Sequence, residues 1–360
     1  MTTQTKRLDS LDILRGLIMF VLVFFSPLIR KIATASGASW MDVIVHQCKH
    51  VPWEGLVCHD MIMPLFVFMS GCAIPYAFAK YRANGNGNGK IYFRIARRVV
   101  VLWILGMICQ GNLCSFKPET FIYYSNTLQS IAVGYAVSAI LFMNTRPRTQ
   151  VIVAGALLVA YWAGCTFISV DGYGGGSYAL ETNFPRWVDA KVLGEGGAYT
   201  WVFSSLNFIV TAMTGMFAGI ILKSGRTSVR KMQLLLLYGV GMIAAGLLWS
   251  LEMPIIKHIW TSSMTLVTSG ISFLLLDLAY LIADHLQWKG LNWLKVIGTN
   301  CILVYMLHYV HLTPITDKLL WGLNDIVGKD WYAVILVAAD FLLLWIILRT
   351  MYKHKIFVKV

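Results

Sequence analysis

Charge is scarce in this 360-residue chain: Asp, Glu, Lys and Arg together make up 13%, about half the share usual in soluble domains. With 58% hydrophobic residues and a mean hydropathy of +0.66, that shortage excludes a soluble globular domain. No strand-like alternation of apolar and polar residues competes with the long apolar runs, which leaves an all-α reading. The seven cysteines lie mostly in apolar stretches without a CxxC pairing, so neither a metal knuckle nor a dense disulfide framework is indicated. The start, "MTTQTKRLDSLDILRG", lacks a small-residue cleavage site. Its first apolar run is too long for a signal core, so it reads as a retained first span.

What is present in abundance is stretches of about 20 apolar residues, the length that crosses a bilayer as a helix. They predict a polytopic membrane protein of about ten transmembrane helices, over 11–29, 58–79, 97–111, 122–143, 150–169, 201–222, 232–251, 260–283, 294–312 and 331–349. Lys and Arg exceed Asp and Glu by 30 to 17, and their placement predicts orientation. With both termini in the cytoplasm, 21 of the 30 basic residues fall in inner segments and nine outside. The net charge of +13 is therefore topology with some attraction to anionic lipid headgroups, and no argument for nucleic acid.

The chain reads as one domain over residues 1–360 with two notable connections. "YRANGNGNGKIYF" (81–93) is a Gly- and Asn-rich inner hinge, flexible by composition. The outer segment 169–199 is long and glycine-rich, the kind of loop that usually serves as a lid or binding loop. No internal repeat is visible, which weighs against an inverted-repeat transporter.

Chemistry gathers in "KHVPWEGLVCHD" (49–60), which runs directly into the apolar "MIMPLFVFMSG". In the predicted topology His50 lies at the outer boundary and Asp60 about one turn inside the second span. An acid inside a span is a functional candidate by default, because burying it is costly. Pro64, four residues on, deprives the Asp60 carbonyl of its helical partner and predicts a bend there. His46, Cys48 and His50 have too weak a spacing for a metal site, and no metal is expected. His59 is placed to pack or to orient Asp60.

The block His50, Trp53, Gly55, Leu56, Asp60, Pro64, Phe66, Phe68 and Gly71 resembles the signature of the heparan-α-glucosaminide N-acetyltransferase family and its bacterial relatives. Upstream, Asp12, Arg15 and Gly16 match the start of that family's first catalytic-domain helix. "NTLQSIAVGYAV" (126–137), "SSLNFIVTAMTGMFAGIIL" (204–222) and "GTNCILVYMLHYV" (298–310) continue the likeness in order. The resemblance implies a transmembrane acetyltransferase that takes an acetyl group from cytoplasmic acetyl-CoA and delivers it to an amino sugar on the outer side. It makes His50 the essential catalytic residue, and it implies a bacterial cytoplasmic membrane and a homodimer. Two departures concern substrate: Ser26 stands where the family usually has asparagine, and Ser130 where it often has arginine. They leave open whether the acceptor is a sugar.

The residues fit acetyl transfer. Neutral His50 can act as general base toward the acceptor, or attack the thioester and carry the acetyl group itself. Asp60, or Asp12, is the candidate to hold the imidazole tautomer, although the topology sets Asp12 at the inner face. Asn207, Asn300 and Ser204 are candidate donors to the thioester oxygen. Arg15, Arg97 and Arg98 are candidates for the coenzyme phosphates, and Trp53, Glu54 and Ser26 for the acceptor. An O-acyltransferase of an envelope polysaccharide, and a proton-coupled carrier using Asp60, Asp277 and Asp340, remain alternatives. The topology makes a direct prediction. A cysteine placed at Asn86 should react only with reagents that reach the cytoplasm, and one at Gly174 only with reagents added outside; labelling from the opposite sides would overturn the scheme.

Overall fold

The computed structural model describes residues 8–83, 87–194, 197–310 and 312–358; Asn86 lies outside them. Every predicted span meets a helix. Eight described helices are long and apolar enough to cross a membrane, or nine if one bent pair counts as a span, rather than ten. In chain order they are α1 (Asp9–Ser36), α2 (Cys58–Ala79), then after α3 the helices α4 (Thr127–Asn144) and α5 (Pro147–Phe167). After α6 come α7 (Ser205–Lys223), α8 (Ser228–Trp249), α9 (Ser262–His285), the bent pair α10 (Lys289–Gly298) and α11 (Cys301–Tyr309), and α12 (Lys329–Lys353). The predicted span 97–111 lies in α3 (Asn88–Gln110). Lys90, Arg94, Arg97 and Arg98 in its first half make α3 too charged to be counted with the others.

Side chains at the helix starts take up backbone N–H groups that have no partner inside the helix. Asn126 Oδ1 accepts from Leu128 N at 2.7 Å, and Pro147 occupies the first turn of α5, where no N–H is needed. The expected hinge over 81–93 is shorter than the sequence implied, because α3 already begins at Asn88. The segment 169–199, expected on the outer side, is partly ordered by secondary structure of its own. A two-residue antiparallel pair, β1 (Ser169–Val170) and β2 (Tyr173–Gly174), precedes α6 (Phe184–Leu193), which Asn183 caps. The Asp189 carboxylate ties α6 to the approach of α7, accepting from Trp201 N at 2.6 Å and Val202 N at 2.9 Å.

In lipid, apolar side chains gain little by leaving the solvent, so helices associate where backbones fit closely together. Glycine supplies that fit at the centre. A Cβ on Gly71 of α2 would fall onto the Ala212 carbonyl of α7, and one on Gly215 of α7 onto the Phe68 carbonyl of α2. Gly16 of α1 and Gly298 of α10 make the same reciprocal contact with the Leu294 and Asp12 carbonyls. Accordingly α2 and α7 are mostly buried, whereas α8 and α12 present most of their surface outward. Gly71→Ala is therefore expected to lower the melting temperature of the detergent-purified protein, on the scale of the 1–3 kcal/mol that overpacking costs. Gly241→Ala, whose added Cβ meets nothing within 4 Å, should leave it unchanged.

Candidate functional site

Asp60 sits in a single 3-10 turn, Cys58–Met61, that opens α2. Pro64 follows in the first turn of the α-helix proper, Ile62–Cys72, where its missing N–H leaves no intrahelical bond unmade. Asp60 is fully buried, and its carboxylate is surrounded by donors. Its Oδ2 receives Val51 N and Val57 N at 3.4 Å each. Its Oδ1 lies 2.6 Å from His50 Nδ1 and 3.1 Å from Lys257 Nζ. A carboxylate only accepts, so Nδ1 carries the imidazole proton and the Nε2 lone pair is free. Lys257 Nζ also stands 2.9 Å from His50 Nδ1. With that nitrogen protonated, the ammonium donates to Asp60. Burial pulls the Lys257 ammonium below lysine's ordinary range, and the Asp60 charge opposes that shift.

Lys257 is the residue that sequence reasoning missed. By sequence alone it is one of the nine basic residues expected outside, yet its side chain is 5% exposed. The signal was there: a Lys-His pair inside the apolar "MPIIKHIW". Almost every residue of that loop is fixed by its backbone. Gly55 N donates to Ile255 O at 2.8 Å, and Glu54 forms a bridge with Ile256. Thr200 N donates to His258 O at 3.0 Å, Ser204 Oγ to Ile259 O at 2.9 Å, and Asn207 Nδ2 to Trp260 O at 2.7 Å.

These anchors reassign several predicted residues. Ser204 and Asn207 hold the Lys257 loop instead of facing a cavity. Asn300 holds the C-terminal segment, donating to Ile356 O at 3.2 Å and accepting from Val358 N at 2.8 Å. Trp53 donates its indole N–H to Tyr178 O at 2.9 Å and stacks on His258, so it pins the 169–199 segment. The Glu54 side chain is exposed and lines no central cavity. Ser26, just past a π-helical stretch at Val21–Phe25, is buried and bonds His59 Nδ1 at 3.2 Å. His59 in turn places its ring 4.6 Å from that of His50, and so supports the imidazole rather than the carboxylate.

Two cavities meet at this site. One, of about 300 Å³, is lined by His50, His59, Lys257, Tyr199, Trp201 and Ser125, among others. Ser125 Oγ is buried there without a hydrogen-bond partner. The second, of about 250 Å³, is lined by Arg15, Arg98, Ser70, Thr299, Cys301 and Val358, among others. Phe66, Thr127 and Tyr305 belong to both, so the partition is one layer of side chains thick. Arg98 lies over the Tyr135 ring, 4.2 Å from its centroid, with its Nε unpartnered. Arg97, one residue earlier on α3, points away and is exposed. Asp12 makes no hydrogen bond to His50. It is buried and pairs with Arg15 at 3.4 Å, which makes it a partner of the arginine cavity.

A helical bundle holding a buried carboxylate–imidazole pair over one cavity, and arginines in an adjoining one, defines an integral membrane protein with a built polar centre. Residues 8–350 match the acyltransferase domain family, and the chain belongs to that family. It is 24% identical over 421 residues to the heparan-alpha-glucosaminide N-acetyltransferase of Homo sapiens, which covers 98% of this chain and 60% of that protein. The protein of the same name from Mus musculus is 23% identical, covering 99% of this chain and 61% of its own length. The chain thus spans about three fifths of the relatives it matches.

Proposed function

We propose that the protein transfers an acetyl group from acetyl-CoA, held at the arginine cavity, to an amino sugar or related glycan bound at the His50 cavity. The observation that carries this reading is the shared wall of Phe66, Thr127 and Tyr305 between the two cavities. A thioester lodged against that wall needs to cross only one layer of side chains to come within reach of His50. The excess of basic residues at one end of the bundle supports placing the arginine cavity toward the cytoplasm and the His50 cavity outside, in a bacterial cytoplasmic membrane.

Arg98 and Arg15 present planar guanidinium groups suited to the phosphates of the coenzyme. The start of α11 at Cys301 also lines the cavity, and the positive end of its helix dipole favours an anion. At the other cavity, His50 Nε2 has two routes. As a general base it takes a proton from the acceptor amine while the amine nitrogen attacks the thioester carbonyl, and coenzyme A leaves as the thiolate. As a nucleophile it attacks that carbonyl itself, forming an acetyl-imidazole that the acceptor then cleaves. In both routes Asp60 stabilises the charge that forms on the ring, and Ser125 Oγ and Lys257 Nζ are the donors available to the carbonyl oxygen.

Among the described residues, the acids of the carrier alternative line no common cavity. Asp340 belongs to a separate small cavity with His308 and Thr313, where it accepts from Thr313 Oγ1 at 2.6 Å. Asp277 lines neither central cavity.

Two outcomes are expected. In a calorimetric titration Arg98→Ala should weaken acetyl-CoA binding at least tenfold, the scale of losing one charge-assisted pair, while Arg97→Ala binds as wild type; equal affinities would remove the arginine cavity from the reading. With radiolabelled acetyl-CoA in membranes, His50→Ala should lower transfer to glucosamine by roughly 10²–10⁴-fold yet still bind the donor, and Lys257→Met and Asp60→Asn should retain binding with reduced turnover. Label bound to wild-type His50 without acceptor identifies the nucleophilic route, and near wild-type transfer by His50→Ala refutes the assignment.

A further inference from the structure

Away from the central cavities, the described residues enclose a larger hollow of about 560 Å³ between the start of α1, the π-helical end of α9, α10 and the end of α12. Four cations line it: Lys289, Lys295, Arg349 and Lys353. The two acids in its wall are already used. Asp9 pairs with Lys295 at 2.6 Å, and the Asp284 carboxylate caps α1, accepting from Asp9 N and Ser10 N at 3.1 Å each. Lys289, Arg349 and Lys353 are exposed and form no ion pair with another described residue. Three positive charges in one hollow repel each other, and nothing in the described protein offsets them.

A second, wholly different surface continues from the same place. An open groove of about 350 Å³ is lined by Phe24, Trp293, Ala338, Phe341, Leu342 and Trp345. Trp293 and Trp345 belong to both the hollow and the groove. Along α12 the residues Ala338, Phe341, Trp345, Arg349 and Lys353 follow each other at spacings of three and four, which puts them on one face. By the helical rise of about 1.5 Å per residue that face runs roughly 22 Å, from apolar to cationic. Tryptophan sits where the two meet, as it does at the boundary between hydrocarbon and headgroups.

The geometry points to a bound lipid: we infer that this surface is a site for one anionic phospholipid, its phosphate in the cationic hollow and an acyl chain along the α12 groove. A zwitterionic headgroup fits worse, because both wall acids are engaged and none is left to receive an ammonium. A free phosphate ester would use the hollow but not the groove. The site does not depend on the acetyl-transfer reading, since it shares no lining residue with either central cavity.

The test is native mass spectrometry of the full-length protein purified in mild detergent and titrated with phosphatidylglycerol, phosphatidylcholine or sn-glycerol 3-phosphate. Wild-type protein should hold one phosphatidylglycerol in preference to phosphatidylcholine. The double variant Arg349→Ala/Lys353→Ala should bind it roughly thirtyfold more weakly, about fivefold for each cation near a headgroup. Ala338→Trp, which fills the groove at an exposed position and keeps every charge, should also lower retention. Equal retention of the two lipids, an unchanged affinity in both variants, or full displacement by glycerol phosphate overturns the site. So does a change from dimer to monomer in Ala338→Trp with lipid retained, which would make the groove a subunit interface.

Discussion

One carboxylate organises the polar centre of this protein. Asp60 has no contact with solvent, and a lone charge in that position would cost several kcal/mol. Its stability as an anion depends on donors from two separate segments: the His50 ring with the Val51 and Val57 amides from the stretch just before it, and Lys257 from a loop almost 200 residues away. Each donor needs its own support. His50 leans on His59, which leans on Ser26 beyond the π-helical stretch of α1. Lys257 is held by a loop pinned at successive carbonyls by Ser204 and Asn207 from α7. A network of this kind is worth more satisfied than the sum of its pairs, and is costly when one member is removed.

Around that centre, the bundle alternates between close contact and deliberate looseness. Glycines bring α2 against α7 and α1 against α10 until backbones touch. Beside those contacts the 59° bend between α10 and α11 opens the arginine cavity. Non-helical backbone is tolerated at membrane depth only where it is enclosed by protein or lines a cavity, and Gly298, Thr299 and Cys301 do line one. The close contacts fix the helices that carry Arg15 and Asp60. The bend supplies the space in front of Arg15.

Much of this was legible in the residues. Apolar run length located each of the long apolar helices, since a bilayer demands it directly, and only the charged α3 and the bent α10–α11 pair blur the count of spans. The His50–Asp60 pair was legible because an acid inside an apolar run stands out. What the sequence hid is whatever depends on a partner distant in the chain. Lys257 looks like any loop lysine until Asp60 faces it. Asn207, Asn300 and Trp53 have the side chains of binding residues, but each donates its side-chain N–H to a backbone carbonyl elsewhere. Arg97 and Arg98 are adjacent in sequence and differ by about 100° around α3, so one faces the cavity and the other does not.

The partition of Phe66, Thr127 and Tyr305 has an electrical consequence. In the proposed arrangement, water reaches it from both sides, and a membrane potential then drops almost entirely across one layer of side chains. A unit charge moved through that layer would do about 2.3 kcal/mol of work per 100 mV. Acetyl transfer leaves the thiolate on one side of that layer and the amine proton on the other, so each turnover displaces one unit charge across it unless a proton returns by the same route.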